Sequence, residues 1–422
     1  MSRFLAGLAA ARRAGRPYGI ASVCSAHPTV LRAALRRAAK GEGPVLIEAT
    51  CNQVNQFGGY TGMAPADFIA FVEAIAAEEG VARDKIIFGG DHLGPNPWRR
   101  EQASVALEKA AGMVEAYVAA GFTKIHLDAS MGCAGEPAAL DDRTVAERAA
   151  ALCAVAEETA RRGNLPAPVY ILGTEVPVPG GADHALATVE PTAPDAAREA
   201  IAVHRAAFGK AGLSDAFTRV IAFVVQPGVE FGSDNVVAYD PPRAAALSAL
   251  LDEEPALVFE AHSTDYQAEE ALAALVGDGF PILKVGPGLT FAYREALYAL
   301  DLVASDIVPG YGDRPLARAM EALMVDVPGS WSGYYHGDET ALRIQRHFSY
   351  SDRIRYYWTR PEAEAAVAAL LSALSGVRIP ETVLHQYLPT MVPREADRAE
   401  DILIAAVDRV LAIYDGAAAN RP

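Results

Sequence analysis

The chain has 422 residues, enough for one large domain with an appendix or for two domains. About half of it is hydrophobic (51%), so a sizeable core is available, and the net charge of −16 excludes a basic nucleic-acid face while leaving room for a phosphorylated small molecule held by a few local donors. No apolar run approaches the ~20 residues of a membrane helix, residues 1–16 lack a signal-peptide core, and the scattered Cys24, Cys51, Cys133 and Cys153 read as reduced thiols of a cytoplasmic protein.

Residues 1–16 read as an amphipathic helix that starts the fold. Eight short apolar runs follow, at 18–23, 45–49, 85–89, 124–128, 169–172, 220–225, 257–261 and 282–285. Ala-rich segments with 3.6-residue periodicity lie between them, for example 30–40, 66–79, 101–120, 144–162 and 193–208. Helix-start signals stand at Thr29 after Pro28, at Asp67 after Pro65, and at Ala193-Pro194-Asp195. The strand-like runs are apolar throughout, which implies burial on both faces. Eight β/α units within residues 1–308 predict a (β/α)8 TIM barrel, whose usual size is about 250 residues. A doubly wound open sheet is the alternative, but no G-x-G-x-x-G follows the first strand. Residues 309–422 predict a helical C-terminal extension, with helical runs at 361–374 and 398–414. Aromatic and basic residues cluster at 330–358. Such an extension covers the barrel mouth, forms the subunit interface of a homo-oligomer, or packs against the barrel's outer helices.

Several strands end in polar residues, as a barrel delivering chemistry to its C-terminal mouth requires. Ile86-Ile87-Phe88-Gly89-Gly90 runs into Asp91-His92 and a Gly-Pro turn. Other runs end in Glu48, Asp128, Gln226, Glu260 with His262, and Lys284, and the fifth leads to Glu175. Imidazole is the commonest ligand of a catalytic divalent metal, and a neighbouring carboxylate can serve as general base. His92, Glu175 and His262 are therefore the preferred ligands, with zinc first and manganese, cobalt or nickel as alternatives. Asp91 is the preferred base and Asp128 the second choice. His126 alternates with Asp128 on one strand, and either is an alternative to Glu175 as a ligand; His126 otherwise reads as a substrate contact. Lys284 sits in an apolar run. A desolvated amine there would favour Schiff-base chemistry, whereas pairing with the surrounding carboxylates would make it structural. Gly286-Pro287-Gly288 and Ser263 suit a phosphate at the loops after strands seven and eight. The amide-rich loop from Thr50 to Gly62 offers Gln53 and Asn55 to a polyol, with Glu48 and Gln226 as further mouth contacts. The Gly180-Gly181 pair reads as a mobile mouth loop.

The runs Ser22–Pro28, Ile47–Thr50, Asn52–Gly62, Gly89–Pro95, Lys124–Ser130, Gly173–Gly181, Val224–Phe231, Phe259–Gln267, Leu283–Pro287 and Ser349–Trp358 together resemble the GatZ/KbaZ family, over nearly the whole chain. That family is known as the non-catalytic subunit of class II D-tagatose-bisphosphate aldolase, in galactitol or N-acetylgalactosamine catabolism. The resemblance implies a class II aldolase-like barrel, a phosphorylated ketose as ligand and a catalytic aldolase subunit as partner. Some members resemble stand-alone enzymes that epimerise D-tagatose 6-phosphate at C4. By resemblance, Asp91 takes the base role of the aldolases, and His92 and His262 take ligand roles. On the sixth strand this chain departs, with Gln226-Pro227-Gly228 where the aldolases supply a third histidine. C4 of a 2-ketose lies beyond the acidic α-position, so the expected route is retro-aldol cleavage of C3–C4 and re-addition.

Overall fold

The computed structural model describes residues 2–41, 43–173, 188–390 and 398–419. Glu175 and the Gly180-Gly181 pair lie outside the described residues. Eight parallel strands close into a barrel in sequential order, as the pattern predicts. They are β1 (Ile20–Cys24), β2 (Val45–Thr50), β3 (Ile86–Leu93), β4 (Lys124–Leu127), β5 (Val169–Leu172), β6 (Val220–Val225), β7 (Val258–Ala261) and β8 (Ile282–Val285). A two-residue hairpin, Glu230–Phe231 with Val236–Val237, follows β6; its length leaves no periodicity to read in sequence. No helix among the described residues is long and apolar enough to cross a membrane.

Side-chain alternation along the strands sorts the barrel interior into levels. Ile20, Leu46, Ile87, Val258 and Ile282 form an apolar floor. Two residues on along four of these strands come Ser22, Glu48, Glu260 and Lys284, joined by Lys124 of β4. Gly89 occupies the matching place on β3. A side chain there would come within 2.6 Å of the Glu48 carboxylate, so only glycine leaves that acid room. The floor is sealed from below by Leu5, Leu8 and Ala9. These residues lie on two helical segments, Ser2–Ala6 and Leu8–Arg13, rather than on one continuous helix.

The helices start at Pro28, Pro65 and Pro194, the first two slightly earlier than the periodic segments read in sequence and the third one residue later. Proline is suited to the first helical position, where its missing N–H costs nothing and its fixed φ is already helical. The strand read as ending at Gly89 runs on to Leu93, through an irregularity in the β3–β4 register between Gly90 and Leu93.

The residues after Ile307 bind back onto the barrel. The last helix, Ala399–Ala418, packs against Pro28–Lys40, Glu269–Gly277, Pro287–Ile307 and β1, where it completes the outer ring. Tyr414 seals this contact by donating to the carbonyl of Thr264 at 2.7 Å. Nearer the mouth, Arg294 Nε reaches Asp352 Oδ1 at 3.1 Å, and the Thr290 hydroxyl donates to Asp352 Oδ2 at 2.6 Å. Both ions are almost wholly buried. Removing one member of such a pair strands the other charge, at a cost of about 3–5 kcal/mol. Arg294→Met is therefore expected to lower the unfolding free energy by about 3–5 kcal/mol in a denaturant titration. A loss below about 1 kcal/mol would mean that this pair does not anchor the extension.

Candidate active site

The site is built where the barrel ladder breaks. At the β3 irregularity His92 takes a left-handed backbone (φ 51°). Bulges of this kind re-aim side chains next to active sites. Here the His92 N–H leaves the ladder and lies 3.2 Å from Nδ1 of His126 on β4. Three imidazoles from β3, β4 and the end of β7 then face one another. Their ring centroids are 5.1 Å apart for His92–His126, 5.0 Å for His92–His262 and 5.3 Å for His126–His262.

Each ring is held by a carboxylate on one nitrogen. His92 Nδ1 lies 2.8 Å from Asp128 Oδ2, His126 Nδ1 lies 2.8 Å from Asp91 Oδ1, and His262 Nε2 lies 2.9 Å from Glu260 Oε1. At His92 and His262 these contacts place a proton on the bonded nitrogen, by inference from the network, whereas His126 Nδ1 lies between the Asp91 carboxylate and the His92 N–H. The Nε2 of His126 is buried with no hydrogen-bond partner. Ligand atoms of Asp91, His92, His126 and His262 all lie within 4.8 Å of one another. A buried imidazole nitrogen without a hydrogen-bond partner, in a cluster of three imidazoles and a carboxylate, fits a divalent cation. The sequence counted His126 mainly as a substrate contact, because a fully buried strand histidine gives no sign of which neighbours it meets.

Below the rings is a ladder of buried ions. Lys124 Nζ bridges Glu48 Oε1 at 2.6 Å and Glu260 Oε2 at 2.7 Å, and all three residues are 0% exposed. Lys284 Nζ binds the other Glu48 oxygen and Asp91 Oδ1, the latter at 2.9 Å. Burial alone would lower both ammonium groups, but the carboxylates win: Glu260 and Glu48 hold Lys124 above its usual pKa, and Asp91, Cys24, Glu48 and Glu260 hold Lys284 well above. Lys284 is thus a paired ammonium rather than an activated amine. Burial alone would raise Asp91, Asp128 and Glu260, but His92 and Lys284 hold Asp91 well below the carboxylate range, His92 does so for Asp128, and Lys124 and Lys284 for Glu260. Burial pushes His262 down to about 3, so that ring is neutral. For His92 burial acts downward too, but the carboxylates of Asp91 and Asp128 prevail and raise it.

The mouth cavity is lined by Gln53, Asp91, His92, His262, Ser263, Lys284 and Gly286 from the sequence-derived set. Glu48 lies beneath the cavity in the ion ladder. Asp128 spends one oxygen on His92 and the other on the N–H and hydroxyl of Ser130, whereas Asp91 Oδ2 borders the cavity with only long contacts to Cys24 and His92, both at 3.8 Å. Asn55 and Gln226 are turned into their own loops. Asn55 bonds Cys51, Phe57 and Gly59, and Gln226 Oε1 accepts from the N–H groups of Gly228 and Val229. The N–H groups of Gly286 and Gly288, expected for phosphate, are both taken by Asp265 Oδ1, at 2.9 and 2.7 Å. Cys24, Tyr60, Phe231, Asp265, Arg355 and Tyr356 also line the cavity. They went unread as site residues: Arg355 and Tyr356 were visible as part of a basic-aromatic cluster in an extension that could cover the mouth, but nothing in the spacing singled out these two.

Residues 5–419 match a family model described as D-tagatose-1,6-bisphosphate aldolase subunit GatZ/KbaZ-like. A protein of Agrobacterium fabrum (strain C58), named D-tagatose 6-phosphate 4-epimerase, is 71% identical over 420 residues, covering 99% of this chain and 99% of that one. A crystal structure from Sinorhizobium meliloti 1021, described as a probable tagatose 6 phosphate kinase, is 56% identical with a TM-score of 0.86, covering 94% of this chain and 100% of that one.

A lysine kept protonated by three carboxylates cannot form a Schiff base readily. Borohydride added with a ketose phosphate is expected to leave the mass of the chain unchanged. A reduced adduct mapped to Lys284 would show that the amine is free.

Proposed function

The chain belongs to the GatZ/KbaZ-like family of D-tagatose-1,6-bisphosphate aldolase subunits, and on that premise we propose that it is a cytoplasmic, metal-dependent ketose-phosphate 4-epimerase interconverting D-tagatose 6-phosphate and D-fructose 6-phosphate. One observation carries the reading: three carboxylate-held imidazoles clustered with Asp91 at the barrel mouth. A subunit that only stabilised a partner would have no evident use for that set. The kinase description of the Sinorhizobium structure names a different chemistry, phosphoryl transfer, whereas the cluster of imidazoles beside Asp91 favours carbonyl and proton chemistry.

His92, His126 and His262 would hold the cation, and an all-nitrogen set suits zinc before manganese, cobalt or nickel. When bound, a divalent cation supplies Lewis-acid polarisation of the substrate carbonyl. Asp91 Oδ2 takes the proton of the C4 hydroxyl. The O–H electron pair forms the C4 carbonyl, and the C3–C4 pair moves onto the C2–C3 unit to give the enediolate. The C4 aldehyde turns its other face, C3 re-adds, and Asp91 returns the proton to the new C4 oxygen. Atoms and electrons balance with no co-reactant. Lys284 keeps Asp91 ionised at neutral pH, ready to accept. The carboxylates of Asp128, Asp91 and Glu260 fix the imidazoles, so the site needs little reorganisation during the reaction. In this reading His126 is a ligand rather than a substrate contact, and Glu175 is not required as one.

Purified chain with a divalent metal is expected to convert D-tagatose 6-phosphate to D-fructose 6-phosphate without releasing free triose phosphate. In D2O the product should keep protium at C4; deuterium there would rule out the retro-aldol route. Asp91→Asn is expected to retain bound metal and lose about 10²- to 10⁴-fold in kcat. The family description supports a second reading, a subunit that stabilises a catalytic aldolase. That reading gains if the chain alone makes no product while the activity of an added class II aldolase rises.

A further inference from the structure

The epimerase reading implies a phosphate, and the structure raises the question of where it sits. The helix N-terminus after β8 is already filled. Asp265, buried beside the mouth, presents one carboxylate oxygen to the N–H groups of both Gly286 and Gly288. An internal anion thus occupies the cradle that a phosphate would use.

A second recess adjoins the mouth cavity, and Gly286 borders both. Cys24, Ser25, His27, Tyr60, Arg355 and Thr359 are among its lining residues. Cys24, Tyr60 and Arg355 border both spaces, so the recess is continuous with the chemistry. It opens at the start of the 13-residue helix Pro28–Lys40, whose cap residue His27 makes no side-chain capping bond. The Nδ1 of His27 is buried with no partner. Ser25 accepts the His27 N–H at its hydroxyl oxygen, which leaves its own proton to donate.

Arg355 is the cation of this recess. It donates to the backbone carbonyls of Ser351 and Asp352 and to the Tyr356 hydroxyl. No carboxylate among the described residues pairs with it, whereas Arg294 close by is neutralised by Asp352. Asp265 and Asp352 act on this guanidinium only through space; in a chain of net charge −16, a guanidinium held in place beside a cavity with no carboxylate bonded to it is a poised anion site. Tyr60 packs edge-on against Tyr356, 5.0 Å between centroids, and carries a second hydroxyl to the same space.

We propose that this recess, with Arg355 as its principal contact and the start of helix Pro28–Lys40 behind it, receives the substrate phosphate and sets the preference for phosphorylated over free ketose. The proposal rests on the epimerase reading for the identity of the substrate, but the anion site itself does not. Arg355 acts as a specificity residue: it holds the end of the substrate remote from the C3–C4 bond. A chain segment outside the barrel therefore decides which sugars the barrel accepts.

The test compares wild type, Arg355→Gln and Arg355→Lys. The first readout is the ratio of kcat/KM for D-tagatose 6-phosphate to that for D-tagatose. It is expected to fall about 10- to 100-fold in Arg355→Gln, the size of a charge-assisted hydrogen bond, and less in Arg355→Lys. A ratio unchanged in both variants overturns the proposal while leaving the epimerase reading intact. The second readout is phosphorus NMR of inorganic phosphate titrated with each protein. Broadening by wild type that is lost in Arg355→Gln supports the site even if neither sugar is turned over; equal broadening by both proteins, or none by wild type, overturns it. If Arg355→Gln does not fold, Ser25→Ala reads the same ratio and the same titration. A smaller fall of the same sign supports the site, and no change overturns it.

Discussion

The site depends on a ladder of buried charge inside the barrel. Lys124 joins Glu48 on β2 to Glu260 on β7, and Lys284 joins Glu48 to Asp91 on β3. Taking such ions out of water is costly, and the attraction between them offsets that cost only when every partner is placed well. The return is positional. Glu260 fixes His262, Asp91 fixes His126, and each acid is fixed in turn by a lysine. A ring of imidazoles at a barrel mouth could rotate; these cannot without breaking a charge-assisted bond below them.

The same ladder decides the ionisation states above it. Lys284 cannot be both the counter-ion of Asp91 and Glu48 and a nucleophilic amine, and the geometry selects the first role. Asp91 and Asp128 then divide their work by solvation and bonding: Asp128 has both oxygens occupied, whereas Asp91 keeps one at the cavity. The extension adds the positive end. Its buried Arg294–Asp352 anchor precedes Arg355 by three residues, so the fold that holds the extension down also sets the guanidinium beside the mouth.

Much of this was legible in the sequence, for physical reasons. Eight apolar runs separated by Ala-rich periodic segments admit few architectures other than a closed parallel barrel, and acids and histidines at strand ends mark its working face. Asp91, His92 and His262 were visible because they stand at such ends. His126 was harder. Its partners lie 34 and 136 residues away in sequence, and only the bulge at His92 turns that residue's N–H toward it. Gly286 and Gly288 looked like a phosphate cradle because a glycine pattern shows that backbone amides are exposed, not what already fills them. Asn55 and Gln226 looked like substrate amides, but short-range bonds to their own loops absorb them, and such bonds leave no mark on composition. The last helix was visible as a periodic run, and packing on the outer helices was one of the readings open to it; the place of Arg355 was out of reach, since tertiary docking of a distant segment leaves no local pattern.

The central claim is that His92, His126 and His262 together hold a divalent cation. X-ray absorption at the metal edge of the zinc-loaded chain tests it most directly. The account predicts three imidazole nitrogens at about 2.0–2.1 Å, and the loss of one in His126→Ala. A coordination sphere made only of oxygens, or a spectrum that His126→Ala leaves unchanged, would contradict it.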